Sequence, residues 1–311
     1  MANQIILGLQ SASTKQSYCR FVAEFNLFRK EKPLSEGLLL SFLVEQSKTK
    51  AASTLWTMYS LIKKYMALEC GFDLGHSPQI SNFLKTLARM HLKKKAPAFS
   101  REELFMFLRT APSESKVLIC KLVLLVGFYG GLRCSEMVAL MWKDLVFTEE
   151  GILITIQKSK TDQAGIGAVK LIPRMKEELL CPVFYFLKYK AVVNGPTGRL
   201  FRVVCNGRFT KGPMGKNTIS CFPKDIAVFL GLENPQTYTG HSLRVSSATV
   251  LADEGGDNLV LKRHGRWSSD AIAEDYVRNS KRCRIDTANL LGGLVLLPLT
   301  FQLKKTTLVN H

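Results

Sequence analysis

The sequence predicts a mainly α-helical protein that carries one small β-sheet. Apolar residues recur at helical spacing through about the first 92 residues, and two β-branched segments then mark a hairpin further along the chain. A chain of 311 residues is long enough for two hydrophobic cores, and a basic run near residue 95 separates the two parts. We therefore expect an N-terminal helical domain over residues 1–95, an α+β domain over 96–287 and a C-terminal tail over 288–311.

The composition indicates a polyanionic partner. The formal net charge is +18 at pH 7, and residues 1–95 hold 14 Lys and Arg against 6 Asp and Glu. Such a charge attracts negative polymers, although a solvated basic surface with no dedicated partner is the alternative. Neither a basic amphipathic helix nor an apolar run of membrane-spanning length stands out, so the sequence favours nucleic acid over a membrane.

The eight cysteines favour a reduced, intracellular protein. They form no C-x-x-C pair and do not cluster with histidine, so they indicate core thiols and neither a disulfide framework nor a zinc site. No signal peptide is visible at the N-terminus. We expect the protein to be found with DNA, in the nucleus of a eukaryote or in the cytoplasm or nucleoid of a bacterium.

The first domain is predicted to consist of basic helices. Tyr18, Phe21 and Phe25 recur at helical spacing, as do Leu55 and Met58. A small helical domain of this charge could lie on a phosphate backbone, although each single lysine is more commonly a solvated side chain. The candidate DNA contacts are Lys63, Lys64, Lys93, Lys94 and Lys95.

The second domain is predicted to begin with a capped helix. Ser100 and Glu103 form a capping box, and an apolar helix over 116–129 then ends at a pair of glycines. Arg133 follows in apolar surroundings, with Glu136 three residues later. An arginine in this setting is either paired structurally or directed at an anion.

A β-hairpin is predicted next. Residues 151–157 and 168–173 read as its two strands, and Lys158 and Lys160 follow the first strand. Helical spacing returns over 175–191. The segment 211–216 is predicted to be a basic, glycine-containing loop, but it lacks the phosphate-binding pattern G-x-x-x-x-G-K-[ST].

The residues with the clearest chemistry come last. His241 and Arg244 are three apart and would share a helix face. Tyr276 lies nine residues after Trp267, on a short helix for which Ser268 is the predicted N-cap. His264 is read as a helix-end residue. A phenol, an imidazole and guanidinium groups in one site are suited to attack on a phosphodiester.

These motifs together resemble the tyrosine recombinase family, whose members form a DNA 3′-phosphotyrosyl intermediate. The resemblance covers about residues 100–285. It rests on three motifs, which are Gly131-Leu132-Arg133-Cys134-Ser135-Glu136, His241-Ser242-Leu243-Arg244, and Gly265-Arg266-Trp267 followed by Tyr276. It implies that residues 1–95 are a core-binding domain and that residues 96–287 are a catalytic domain.

The resemblance also implies a role for each residue. Tyr276 would be the nucleophile, and Arg133 and Arg244 would bind the non-bridging oxygens of the scissile phosphate. His241 would shuttle a proton, and Lys160 would protonate the departing 5′-hydroxyl, although Lys158 stays open for that role. Two further residues would support the site, Trp267 as a donor to the phosphate and Glu136 as a group that orients the first arginine or His241.

A site-specific recombinase or integrase of a mobile element is therefore expected, acting on double-stranded DNA as a homotetramer. Neither a metal nor ATP is expected, because Arg and Lys supply the positive charge and the phosphotyrosine conserves the bond energy. A type IB topoisomerase, which acts as a monomer, is one alternative. A recombinase-derived DNA-binding protein that no longer cuts is the other.

Overall fold

The computed structural model of the protein describes residues 12–90, 96–157, 167–193 and 195–292. The chain separates into two compact units, Met1–Lys95 and Ala96–His311. The first unit is helical and the second combines helices with small antiparallel sheets, which confirms the predicted fold class. Lys93, Lys94 and Lys95, named above as candidate DNA contacts, lie outside the described residues.

The first unit is built from four helices: α1 (Ala12–Arg29), α2 (Glu36–Ser47), α3 (Ala52–Leu68) and α4 (Pro78–Met90). Their apolar positions meet in one cluster that includes Phe25, Phe42 and Leu55, all fully buried. Burial of such side chains stabilises the unit by roughly 1.5–3 kcal/mol each. Lys63 and Lys64 lie on α3, where the ammonium group of Lys63 donates to the carbonyl of Gly75.

The second unit begins with three helices: α5 (Arg101–Thr110), α6 (Ser115–Gly130) and α7 (Cys134–Ala139). The predicted capping box of Ser100 and Glu103 is present at the start of α5. Helix α6 is buried along almost its whole length, and it ends where Gly131 adopts a left-handed conformation with φ of 55°. This turn directs the chain towards α7 and so places Arg133 at the N-terminus of that helix.

Lys121 is a buried charge inside this helical core. Its ammonium group donates to the carbonyls of Leu108 and Ala111, both at 2.8 Å, and lies 5.4 Å from the ring centroid of Tyr185. One carbonyl belongs to the last turn of α5 and the other to the residue that follows the helix. The last carbonyls of a helix have no hydrogen-bond donor within it, so they need a donor from elsewhere. Lys121 therefore joins the end of α5 to α6.

The predicted hairpin is confirmed as part of a three-stranded antiparallel sheet. The strands β1 (Leu145–Phe147), β2 (Gly151–Ile156) and β3 (Ala168–Pro173) lie in the order β1-β2-β3. The alternate residues Ile152, Ile154 and Ile156 are buried and join the core of the unit. The lysines predicted beside the first strand, Lys158 and Lys160, lie outside the described residues.

A two-stranded sheet, β4 (Arg202–Cys205) and β5 (Arg208–Pro213), follows α8 (Pro182–Val192). Two boundaries predicted from the sequence are wrong here. The helix expected over 175–191 starts only at Pro182, and residues 211–213 belong to a strand, not to a loop. The backbone of β5 pairs with that of β4 in a hairpin. This pairing forms the strand even though Gly212 and Pro213 lie at the end of β5.

Five helices complete the described chain: α9 (Lys216–Phe229), α10 (Ser242–Asp253), α11 (Asn258–Gly265), α12 (Asp270–Asn279) and α13 (Lys281–Gly292). The N-cap of α12 is Ser269 and not the predicted Ser268, because the Ser269 hydroxyl accepts the amide hydrogen of Ala271. Helix α13 continues through residue 288, where the sequence suggested that the tail begins. Within the described ranges, no helix is both long and apolar enough to cross a membrane.

Candidate active site

The first part of the candidate site is formed where α6 gives way to α7. Arg133 is the N-cap of α7, and its Nη1 donates to Oε1 of Glu136 at 2.7 Å. The backbone N–H of Arg133 donates to the other carboxylate oxygen, Oε2, at 2.8 Å. The Glu136 side chain is only 5% exposed, whereas that of Arg133 is 23% exposed. Glu136 therefore holds both the backbone and the side chain of Arg133, and it leaves part of the guanidinium facing solvent.

Arg244 is the most enclosed cation of the site, with 3% of its surface exposed. Its Nη1 donates to the carbonyl of Gly131 and its Nη2 to the carbonyl of Gly265. One guanidinium group thus connects the loop before Arg133 to the end of α11. Burial, followed by the charges of Arg133 and Arg266, lowers the pKa of Arg244 to about 10. The side chain remains cationic at neutral pH.

His241 precedes α10 and is solvent-accessible. Desolvation and the positive charges of Arg244 and Arg133 lower the pKa of its imidazole. An imidazole with a pKa below its usual range is neutral at pH 7 and is able to accept a proton. The charges of Arg244 and Arg133 therefore act on the imidazole of His241.

Trp267 and Tyr276 form the aromatic part of the site. Their rings are stacked, with centroids 5.3 Å apart and planes inclined by 13°. The guanidinium carbon of Arg244 lies 5.3 Å from the Trp267 ring centroid. The indole therefore contacts both Arg244 and the ring of Tyr276, and the phenol contributes to the electrostatic environment of Arg244. A Cβ atom at Gly265 would lie 2.5 Å from this indole, so the approach requires glycine.

Three charged or titratable residues that the sequence reasoning did not assign to the site also lie here. Arg266 forms an ion pair with Glu136. Lys170, on β3, donates from Nζ to the carbonyl of Arg263 at 3.2 Å, and burial and the charges of Arg266 and Arg244 lower its pKa to about 8. Lys170 shares a strand face with buried Ile172, and this alternation was a signal that could have identified it.

His264 is the third of these residues. It ends α11 as expected, but its Nε2 also lies 2.6 Å from the hydroxyl oxygen of Ser247. A Cβ atom on Gly131 would lie 2.6 Å from the same nitrogen. Burial and the charges of Lys170, Arg244 and Arg266 lower the pKa of His264 to about 4, so the imidazole is neutral. His264 therefore supports the backbone to which Arg244 is bonded.

The structure brings together Arg133, Glu136, His241, Arg244, Trp267 and Tyr276, and it adds Lys170, His264 and Arg266 around them. Arg133 and Arg266 pair with the carboxylate of Glu136, and its charge also acts on Arg244 and Lys170, so one acidic group is shared by four basic ones. Such a group of donors is suited to an anion with several oxygens. In the part of the chain that the structure describes, no three metal-ligating side chains are grouped so that they could hold an ion.

Comparisons with known proteins identify the family of the chain. A family model described as the phage integrase family matches residues 98–282, more than half of the chain. An integrase/recombinase xerD homolog of Selenomonas ruminantium is 24% identical over 254 residues, which cover 79% of this chain and 74% of that protein. Transposase A from transposon Tn554 of Staphylococcus aureus is 28% identical over 162 residues, which cover 51% of this chain and 44% of that protein.

Solved structures share the fold. The XerH site-specific recombinase, in a post-cleavage complex with palindromic difH substrate, aligns with a TM-score of 0.66 and 17% identity over 89% of this chain and 80% of its own. The Tn1549 transposon integrase, in complex with transposon right end DNA, aligns with a TM-score of 0.63 and 17% identity over 91% of this chain and 95% of its own.

Proposed function

This chain belongs to the phage integrase family of tyrosine recombinases, and from that premise we propose that it cuts and rejoins DNA through a phosphotyrosyl bond at Tyr276. The observation that carries the proposal is the stack of Arg244, Trp267 and Tyr276 next to Arg133. The ring of the proposed nucleophile packs on the indole that contacts Arg244, and Arg244 and Arg133 are the two groups proposed to bind one phosphate.

In the proposed reaction, the Tyr276 oxygen attacks the scissile phosphorus and the bond from phosphorus to the 5′-oxygen breaks. The phenol proton passes to His241, which is neutral at pH 7 because its pKa is lowered. Arg133 and Arg244 bind the non-bridging oxygens as charge develops on them. Each preorganised donor of this kind contributes about 10²–10³ in rate. Reversal of the steps by a second 5′-hydroxyl rejoins the DNA without loss of the phosphodiester energy.

The departing 5′-oxygen needs a proton, and a lysine is proposed to supply it. Lys160 is the first candidate and Lys158 the second, on the resemblance described above. Lys170 is a third, because its ammonium group lies within the described site and its pKa of about 8 suits proton donation near neutral pH. A substrate with sulfur at the 5′-bridging position separates them, because a thiolate departs without a proton. Among variants that each lack one of these three lysines, only the variant without the general acid should recover full cleavage on that substrate.

The proposed partner is double-stranded DNA, and the proposed assembly is a homotetramer on two paired sites. Relatives of this chain named as transposase and transposon integrase support a role in the movement of a mobile element. The basic first unit, with Lys63 and Lys64 on α3, is the proposed contact to the phosphate backbone.

A nicked DNA substrate that traps the covalent intermediate tests the proposal. We expect wild-type protein to form an adduct that resists denaturant and is absent from Tyr276→Phe. Relaxation of supercoiled DNA without pairing of two duplexes would favour a type IB topoisomerase. Tight binding with no adduct from wild-type protein would refute the enzymatic proposal and favour a DNA-binding derivative. The substrate must contain the protein's own site, which mapping of adducts on genomic DNA would identify.

A further inference from the structure

Arg266 adopts a backbone conformation that is unusual for its residue type. It follows α11 with φ of 51°, in the left-handed region, where the Cβ of an L-residue is crowded. Glycine is the usual residue at such a helix end. The Arg266 side chain is nevertheless 12% exposed, so a charged group has also been removed from water. Both features are unfavourable by themselves and point to a compensating contact.

That contact is with Glu136. Nη2 of Arg266 pairs with Oε2 of Glu136, and Nη1 lies 3.5 Å from the carbonyl oxygen of Gly130. Arg266 therefore connects the end of α11 to the junction between α6 and α7. The residues of the pair are 130 positions apart in sequence, so the contact fixes two distant segments relative to each other.

The same carboxylate also holds Arg133. Its Oε1 accepts from the Arg133 guanidinium, and its Oε2 accepts from the Arg133 backbone as well as from Arg266. The charge of Arg266 balances part of the charge of Glu136. Glu136 therefore competes less strongly with a phosphate for the guanidinium of Arg133. Trp267 follows Arg266 directly, so the position of Arg266 also determines where the indole meets Arg244 and Tyr276.

We propose that Arg266 is a positioning residue for DNA cleavage, which anchors the turn carrying Trp267 to Glu136 and keeps Arg133 available to the scissile phosphate. The inference rests on the proposed function. Arg266 acts through Glu136 and Trp267, and it is not assigned a contact with the substrate.

The test compares Arg266→Gly with wild type on a nicked trapping substrate, in single turnover at saturating DNA. Glycine suits the left-handed turn, so this variant removes the guanidinium without adding backbone strain. We expect DNA affinity within about twofold of wild type and a cleavage rate about 10- to 100-fold lower, the scale that a misplaced reacting group produces. Arg263→Ala is the matched control, because it removes an exposed positive charge three residues earlier and should cleave at the wild-type rate.

Two further measurements distinguish positioning from a general loss of structure. Guanidinium ion at low millimolar concentration should recover part of the cleavage rate of Arg266→Gly and leave wild type unchanged. In a Trp56→Phe, Trp142→Phe background, where Trp267 is the remaining tryptophan, Arg266→Gly should increase the quenching of its fluorescence by acrylamide. The fluorescence measurement does not depend on catalytic activity.

Arg266→Gly cleaving within twofold of wild type would overturn the inference and leave the proposed function intact. A slow variant that guanidinium does not rescue, and whose tryptophan fluorescence is unchanged, would overturn it as well. Absence of any adduct from the wild-type protein would instead refute the proposed function, and the fluorescence comparison would then decide whether Arg266 positions Trp267.

Discussion

Replacement of Arg244 by lysine tests how the buried guanidinium works, because it removes the planar group that bonds two carbonyls at once. Arg244 is 3% exposed and bonds two carbonyls at once, those of Gly131 and Gly265. A lysine ammonium at this depth could reach one of them. The other carbonyl would stay buried without that donor, at a cost of about 1–3 kcal/mol in the free energy of unfolding.

The effect on cleavage should exceed the effect on stability. The carbonyl bonds orient the Arg244 fork, and its remaining N–H groups are those proposed to bind the phosphate. Loss of one preorganised donor lowers the rate of the chemical step about 10²–10³-fold, equivalent to about 2.7–4 kcal/mol. Lysine lacks the planar fork, and burial beside Arg133 and Arg266 also lowers the pKa of an ammonium group at this position, so the loss would combine geometry with charge.

The assay is single-turnover cleavage of the trapping substrate, run beside urea unfolding of the same samples. Arg109→Lys is the matched control, because Arg109 makes a bidentate pair with Glu177 at the surface, with contacts of 2.6 and 2.7 Å. An exposed pair contributes about 0–1 kcal/mol, so this variant should unfold and cleave almost as wild type does. Cleavage by Arg244→Lys within fivefold of wild type would refute the reasoning.

Three further predictions follow from the same contacts. Lys121→Met should lower the free energy of unfolding by about 1–3 kcal/mol, since the buried carbonyl of Ala111 loses its ammonium donor and that of Leu108 keeps only the Tyr185 hydroxyl; unchanged urea unfolding would contradict this. The cleavage rate should decrease as pH falls through the lowered pKa of His241, below the usual imidazole range, because protonation removes the group that accepts the phenol proton; the His241→Gln variant should lose this dependence. Gly265→Ala should slow cleavage at least about tenfold, because its methyl group would lie 2.5 Å from the Trp267 ring. Gly37→Ala, whose added methyl group meets no atom within 4 Å, is its control in the other unit and should cleave normally.

Local features of this protein could be predicted from the sequence because they depend on neighbours along the chain. The capping box at Ser100, the apolar helix that ends at Gly131 and the two strands β2 and β3 all follow from residue type and spacing within short segments. The motif residues Arg133, His241, Arg244, Trp267 and Tyr276 were found in the same way, by residue type and interval. Residue preferences alone did not give the exact start of α12, because its N-cap was predicted to be Ser268 and is Ser269.

Only the tertiary structure decided which charges share a partner. The pair of Arg266 with Glu136 spans 130 residues and the contact of His264 with Ser247 spans 17, and neither has a sequence period that would reveal it. Lys170 lies on a strand whose alternation was visible, but its proximity to Arg244 depends on how β3 packs against the helices. Coulomb energies and hydrogen bonds depend on distances of a few ångströms in space, and folding sets those distances between segments that are far apart in the chain.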